Sequence, residues 1–456
     1  MEQTRDLRLY LTGAFLAAYA AATALAQGAM RWILAAAVLA IPILTWILAS
    51  PVAWTTLFFV VAVMSPPLPV QFGNSGPHPA LAIATIGAAV GFIRLSDWRF
   101  ERNLVPGILV VFFAILAISL APAALYSGPE IAAQSLARVV LAGISAYVFF
   151  YTAFGPGRFG SVPLAAVHAA AIASAAFACL DFFYQFPAPA GFGPQFIWLD
   201  SGVYRRAQGL FYEASTLGNF CAFFLVMTAV ALVRRIGNRF VLLAGGAIFA
   251  TALIFSYSRS SMANVALAIA VLAWMERKRP VIRRIALLGG GVLGALLIAL
   301  FRFFPAYAQL YWIRIWATFD YALSSNEVFL SGRAETWREL GRYLAGHPWH
   351  AIAGVGYKTL PYSDFTGHPI VADNMYLSML VETGIFGLAA LLVLNFAILR
   401  AGYRAAQSSS DQKSFYGTWI FCFWIAESVQ MLSADLLTFW RVLPLYFWVL
   451  AMAVRR

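Results

Sequence analysis

Charge is what this chain has least of. Only 11% of its 456 residues are Asp, Glu, Lys or Arg, while 62% are hydrophobic; soluble domains run at about 25% charged and roughly 45–50% apolar. An ordinary water-soluble globule is excluded, because the polar residues are too few to cover it. Cysteine is scarce too. Cys179, Cys221 and Cys422 lie inside apolar runs, with no CxxC pair and no histidine at ligand spacing. They read as small core hydrophobes and not as a disulfide framework or metal site. HExxH and DxD elements, a Gly-rich phosphate loop, a low-complexity tail and an internal repeat are also missing, so no metal, cofactor or nucleotide-sugar site is expected.

What is present is a long series of apolar stretches, with a mean hydropathy of +0.78. A helix needs about 20 apolar residues to cross a bilayer. Such stretches fall near 8–27, 32–50, 52–70, 79–95, 104–125, 136–153, 161–183, 211–233, 240–257, 259–275, 284–302, 374–399, 415–433 and 438–454. They predict an all-α, polytopic membrane protein of about 14 (12–14) transmembrane helices, organised as a single domain over residues 1–456. The first run is full length and is followed at once by a second, so no cleavable signal is expected.

The net charge of +12 would suggest a nucleic-acid partner in a soluble chain. Here the cations sort by topology. Arg5, Arg8, Arg94, Arg99, Arg102, Arg158, Arg234, Arg235, Arg239, Arg277, Lys278, Arg400, Arg404, Lys413, Arg455 and Arg456 all fall at alternate ends of the apolar runs, and the short turns at the other ends are nearly free of them. The positive-inside rule then places both termini in the cytoplasm, with membrane lipids and not nucleic acid around the chain.

Residues 303–373 form the one extended polar stretch, on the extracytoplasmic side of this topology. Tyr307, Tyr311, Trp312, Ile315, Trp316, Trp337, Leu340, Tyr343 and Leu344 recur at three- and four-residue steps, which predicts helices with one apolar face. Segment 306–320 suits the membrane interface. Ser331 followed by Glu335 predicts a capped helix from near Gly332 to Ala345, and turns follow at His347-Pro348 and Gly354-Val355-Gly356.

Several short elements flank this loop in a fixed order. They are Arg206-Ala-Gln-Gly209-Leu-Phe211-Tyr-Glu213, Ser256-Tyr257-Ser258-Arg259-Ser-Ser261, Ser331-Gly-Arg333 with Trp337, His347-Pro348 with Gly354-Val-Gly356, and Asp373-Asn374-Met-Tyr376 with Glu382-Thr-Gly384. In that order and spacing, over roughly residues 200–400, the chain resembles the superfamily of O-antigen ligases and O-antigen polymerases. The resemblance implies a GT-C-like membrane glycosyltransferase that moves a glycan from an undecaprenyl-diphosphate-linked donor to a glycan or glycolipid acceptor on the periplasmic face. A chain-length regulator is a candidate partner of such an enzyme.

The residues themselves point to the same chemistry. A diphosphate leaving group needs fixed positive charge at the membrane rim, and arginine supplies it with paired donors that stay protonated. The resemblance gives Arg206 and Arg259 this role; Arg205 and Arg333 are further candidate contacts to the substrate. Arg333 can equally form a helix-surface ion pair with Glu335 or Glu339. Transfer also needs a group that orients the attacking hydroxyl. The ligases carry histidine before the asparagine at this point, whereas this chain has Asp373-Asn374. Asp373 is therefore either the acceptor-orienting carboxylate or the cap of the following helix, and His368 is a candidate substitute for the missing histidine. Glu213 and Glu382, inside the motifs, brace the arginines or meet the sugar. Glu427 reads as a buried partner of Arg441 or of a serine. Tyr257 and Tyr376 either stack on sugar rings or pack. A transporter of lipid-linked glycans is the alternative function from a different class.

Overall fold

The computed structural model describes residues 52–68, 77–100, 104–155, 162–188, 192–199, 202–278 and 333–455, with isolated positions elsewhere. The expected spans near 8–27, 32–50 and 284–302, and the interfacial segment 306–320, lie outside the described residues apart from such isolated positions. Every other expected span is helical. The helices are α1 (Ala53–Met64), α2 (Pro79–Ile93), α3 (Leu104–Ile118), α4 (Leu120–Ser127), α5 (Pro129–Phe154) and α6 (Val162–Tyr184). A two-stranded antiparallel hairpin follows, β1 (Phe196–Leu199) and β2 (Gly202–Arg205), with Phe196 opposite Arg205. Next come α7 (Ala214–Arg234), α8 (Arg239–Ser256), α9 (Arg259–Met275), α10 (Arg333–Gly346), α11 (Pro348–Ala353), α12 (Met375–Ala406), α13 (Asp411–Gln430) and α14 (Leu443–Val454).

Local chemistry fixes the ends of these helices. Pro129 and Pro348 open α5 and α11, where a missing N–H costs nothing. Asn238 caps α8 by accepting from Phe240 N at 2.9 Å. Among the described residues six helices are long and apolar enough to cross a membrane: α3 with α4, α5, α6 from Pro163, α7, α8 and α12. Four shorter apolar helices accompany them, α1, α2, α9 and α14.

α7 is the central helix: 83% of its apolar window is buried, against 33% for its neighbour α8. It packs on α8, α9 and α13, while α12 packs on α13 and α3. Aromatic rings fill the middle, with Phe223 of α7 lying 4.4 Å from Trp419 and 4.5 Å from Tyr446 between ring centres. Small residues allow the closest approach. Gly218 of α7 lies where a Cβ would stand 2.7 Å from that of Ser258, so the start of α9 rests directly on the α7 backbone.

The chain reversals gather at two opposite ends. One end holds Arg234, which donates to Ser414 Oγ (2.5 Å), Thr418 Oγ1 (2.7 Å) and Glu276 Oε1 (2.9 Å), and Arg455, which donates to the Thr152 carbonyl (2.6 Å). The other end holds the β-hairpin, the α8–α9 turn and residues 333–375. There, part of the long polar loop folds as a cap with its own small core of Leu340, Tyr343, Val355, Leu360, Ile370, Ala372 and Val381. The amphipathic helix expected from near Gly332 to Ala345 is α10, and the His-Pro turn starts α11. His347 stacks 4.7 Å from Tyr343, whose hydroxyl meets His350 Nδ1 at 2.6 Å.

The cap is tied to α12 by a break in that helix. Gly384 has φ 70° and ψ −173°, a conformation essentially restricted to glycine, and a Cβ there would collide with the Ile352 carbonyl. Beside the break, Val355 N and Gly356 N donate to the Val381 and Glu382 carbonyls at 3.0 and 2.8 Å. The loop thereby supplies donors to carbonyls at an interrupted helical ladder.

Candidate active site

The site is assembled at the capped end from four chain segments. The first follows β2. Gln208 is buried and organises it, donating to the Gly193 and Tyr212 carbonyls (3.0 and 2.8 Å) and accepting from Gln195 N (3.2 Å). Gln195 in turn accepts from Ala214 N, at the start of α7, at 2.9 Å. Arg206 is held between these elements: its N–H donates to the Gln195 carbonyl (2.9 Å) and its Nε to the Ser256 carbonyl at the end of α8 (2.8 Å).

The second segment is the α8–α9 turn. Tyr257 adopts φ 52° there, and serines on either side fix the reversal: Ser256 Oγ accepts from Ser258 N (3.2 Å) and Ser258 Oγ meets Ser261 Oγ (2.8 Å). Ser261 accepts from Gln430 Nε2 (3.2 Å), Gln430 Oε1 accepts from Asn264 (2.9 Å), and Glu427 Oε2 receives both Asn264 and Asn219 at 2.7 Å. A chain of hydrogen bonds therefore runs from a fully buried carboxylate up to the turn that presents Arg259 as the first residue of α9.

The third and fourth segments bring Arg333 and Asp373 together. Arg333 opens α10, and its Nε and Nη2 both donate to Asp373 Oδ2 at 3.2 Å. Arg333 also lies within electrostatic reach of Arg259. Trp337, one turn along α10, donates to the Ala372 carbonyl (2.8 Å) and holds the helix against the strand-like approach to α12. Asp373 itself has φ 46°, a region that aspartate tolerates better than most residues. The cap of α12 is Asn374, whose Oδ1 accepts from Leu377 N at 3.1 Å. The capping role is thus taken by the neighbour, and the Asp373 carboxylate faces Arg333.

Glu213 completes the cluster. It lies just before α7, accepts from Thr216 Oγ1 (2.6 Å), and feels the charges of Arg206, Asp373 and Arg138. Burial, with Asp373 adding to it, holds its carboxyl above the usual range against the opposing pull of the Thr216 hydroxyl and the two arginines. The motif residues Arg206, Arg259, Arg333, Glu213 and Asp373 therefore form one connected group of charges.

Other sequence candidates stand apart from this group. Arg205 pairs with Asp181 at 3.5 Å. His368 is exposed and sits 3.6 Å from Glu339. Tyr257 is 2% exposed and packs near Phe182, so its ring offers no open face. Tyr376 donates its hydroxyl to the Ser428 carbonyl at 2.7 Å. Glu382 is buried beside Lys358, which is paired with Asp435. Two expected partnerships are corrected. Arg333 bonds Asp373 and not Glu335 or Glu339. Glu427 bonds two asparagines, while Arg441 spends its donors on the Ala62, Leu210 and Ser65 carbonyls (2.8, 2.5 and 3.0 Å).

Two cations near the site were not among the sequence candidates. Arg138, on α5, donates to the Tyr362 hydroxyl (3.1 Å) and lies within electrostatic reach of Glu213 and Lys358. Lys358, in the cap, reaches Asp435 just before the short turn that leads to α14. Neither has a local sequence signal, since their partners are 224 and 77 residues away.

Residues 244–392 match the family model for the O-antigen ligases. The matched segment runs from within α8 to within α12 and holds Arg259, Arg333, Asp373, Asn374 and Glu382, while Arg206 and Glu213 precede it. No curated protein matches the chain. Residues 244–392, which carry the α8–α9 turn, the cap and the broken helix of this membrane protein, are thus similar to the O-antigen ligases.

Proposed function

We propose that the chain is a glycosyltransferase that takes a glycan from an undecaprenyl diphosphate carrier and joins it to an acceptor hydroxyl on the periplasmic face of the inner membrane. The observation that carries this reading is the convergence of Arg206, Arg259 and Arg333 around Glu213 and Asp373 at the ends of apolar helices. Charges at the ends of membrane helices are costly and commonly mark a functional site. Arg206 and Arg259 bind the diphosphate and neutralise the negative charge that grows on it as the glycosidic bond breaks. Asp373 orients the acceptor hydroxyl through an oxygen other than the one Arg333 holds, and accepts its proton. The hydroxyl oxygen attacks the anomeric carbon from the face opposite the leaving group, the carbon–oxygen bond to phosphate breaks, and the diphosphate departs with the electron pair. The configuration at that carbon inverts, and guanidinium groups serve where a metal ion acts in other transferases.

The aspartate in place of the ligase histidine favours a carrier-linked glycan as acceptor, which makes the enzyme a polymerase; a lipid A core acceptor would make it a ligase. The deciding experiment uses purified protein in detergent with a synthetic carrier-linked glycan, in the presence of a chelator. Released undecaprenyl diphosphate together with a lengthened glycan is the expected result. Movement of intact carrier across vesicles without bond cleavage would replace transfer by transport.

A further inference from the structure

The end of the bundle opposite the site carries a second concentration of charge. A cavity of about 450 Å³ lies where the start of α3 and the last turns of α12 meet the first turn of α13 and the end of α14. Arg400, Arg404 and Lys413 line it, above apolar walls that include Leu104, Val105 and Val454. No carboxylate lines the cavity, and no ion pair to any of the three cations is present among the described residues. Arg400 and Arg404 are one helical turn apart on the same face of α12, where like charges repel.

The walls lead directly to exposed apolar surface. Phe396 and Val393, 60% and 48% exposed, lie one and two turns before Arg400 on α12, and Leu104 at the start of α3 is 46% exposed. An anion at the cavity mouth would relieve the repulsion between the arginines and leave any attached acyl chains along this apolar strip. Free inorganic phosphate shares the charge but has no use for the strip.

We infer that this cavity binds the phosphate group of an anionic phospholipid, with Arg400, Arg404 and Lys413 as its ligands and the α3–α12 surface receiving the acyl chains. The site is independent of the transfer reaction proposed above. Arginine pairs phosphate oxygens through two parallel donors, and basic pockets between helix ends are the form that recognition of anionic headgroups takes in membranes.

Native mass spectrometry of the purified full chain, with phosphatidylglycerol or phosphatidylethanolamine at equal concentration, tests it. The wild type is expected to retain phosphatidylglycerol preferentially, and Arg400→Ala with Arg404→Ala to lower that retention by roughly fivefold for each cation removed. Arg235→Ala with Arg239→Ala, which removes the same charge from the α7–α8 turn, should leave it unchanged. Lys413→Ala gives the same reading at a single position if the double variant accumulates poorly. Equal retention of the two lipids, or equal loss in both double variants, would overturn the site. Binding of inorganic phosphate without lipid preference would overturn the lipid assignment.

Discussion

Arg333 directs two donors, Nε and Nη2, at the same oxygen of Asp373, both at 3.2 Å. The pair is partly open, with side chains 30% and 48% exposed, and such pairs contribute about 0–1 kcal/mol to stability. Arg333→Ala should therefore leave the melting temperature of the purified protein almost unchanged while lowering transfer. A large drop in melting temperature with transfer intact would make the pair a structural clasp.

Arg206→Ala and Arg259→Ala should each reduce product by about a hundredfold or more, the scale seen when one preorganised donor is removed from a transition-state site. Protein abundance in the membrane should stay near wild type. Arg206→Lys should not restore activity, because lysine lacks the planar fork that reaches the Ser256 carbonyl and a phosphate together. Full activity in either alanine variant would contradict the site.

Asp373 admits a cleaner comparison than most catalytic candidates. Its left-handed backbone suits Asn and His nearly as well as Asp, and the helix cap next to it belongs to Asn374, so neither replacement disturbs the start of α12. Activity kept in Asp373→His and lost in Asp373→Asn is the expected outcome for a position that handles a proton. Equal activity in both variants would remove it from the chemistry.

Glu213 gives a pH signature. Burial raises its carboxyl in the folded protein above the ordinary value. The folded state then binds the proton more tightly than the unfolded state, so its contribution to stability is complete below the unfolded pKa and is lost as pH rises through the folded one. Glu213→Gln should therefore gain stability relative to the parent as pH rises across that window, read from melting curves at a series of pH values. A constant difference at all pH values would show that the carboxyl is not perturbed.

Glu427→Ala removes the acceptor shared by Asn219 and Asn264. The Asn219 amide then loses its acceptor, at a cost of about 1–3 kcal/mol, while Asn264 keeps only Gln430, so thermal stability should fall well below that of Glu427→Gln, which keeps one acceptor oxygen. If the two variants melt together, the network is not what holds the α8–α9 turn.

The helices were legible because lipid demands long apolar runs. Arg206, Arg259, Glu213 and Asp373 were legible as charges and motifs at the ends of such runs. Partnerships were not. Arg333 and Glu335 are neighbours in sequence, yet two residues apart on a helix they do not face each other; Glu335 pairs instead with Arg338 at 3.2 Å, and Arg333 is free to meet a residue 40 positions away. Arg138 lies within an apolar helix and Lys358 within a loop, so only the tertiary fold shows that Arg138 is within electrostatic reach of Glu213 and that Lys358 stands beside Glu382. Tyr257 and Tyr376 could not be sorted between stacking and packing without burial.

The break at Gly384 also answers a question of thickness. As one rod, the 32 residues of α12 would be about 48 Å long, well beyond the roughly 30 Å of a hydrocarbon layer. The portion after the glycine is about 33 Å, which fits that layer unaided. The opening turns are thereby released from spanning duty, and Asp373 and Asn374 head a short segment anchored to the cap through the Val381 and Glu382 carbonyls.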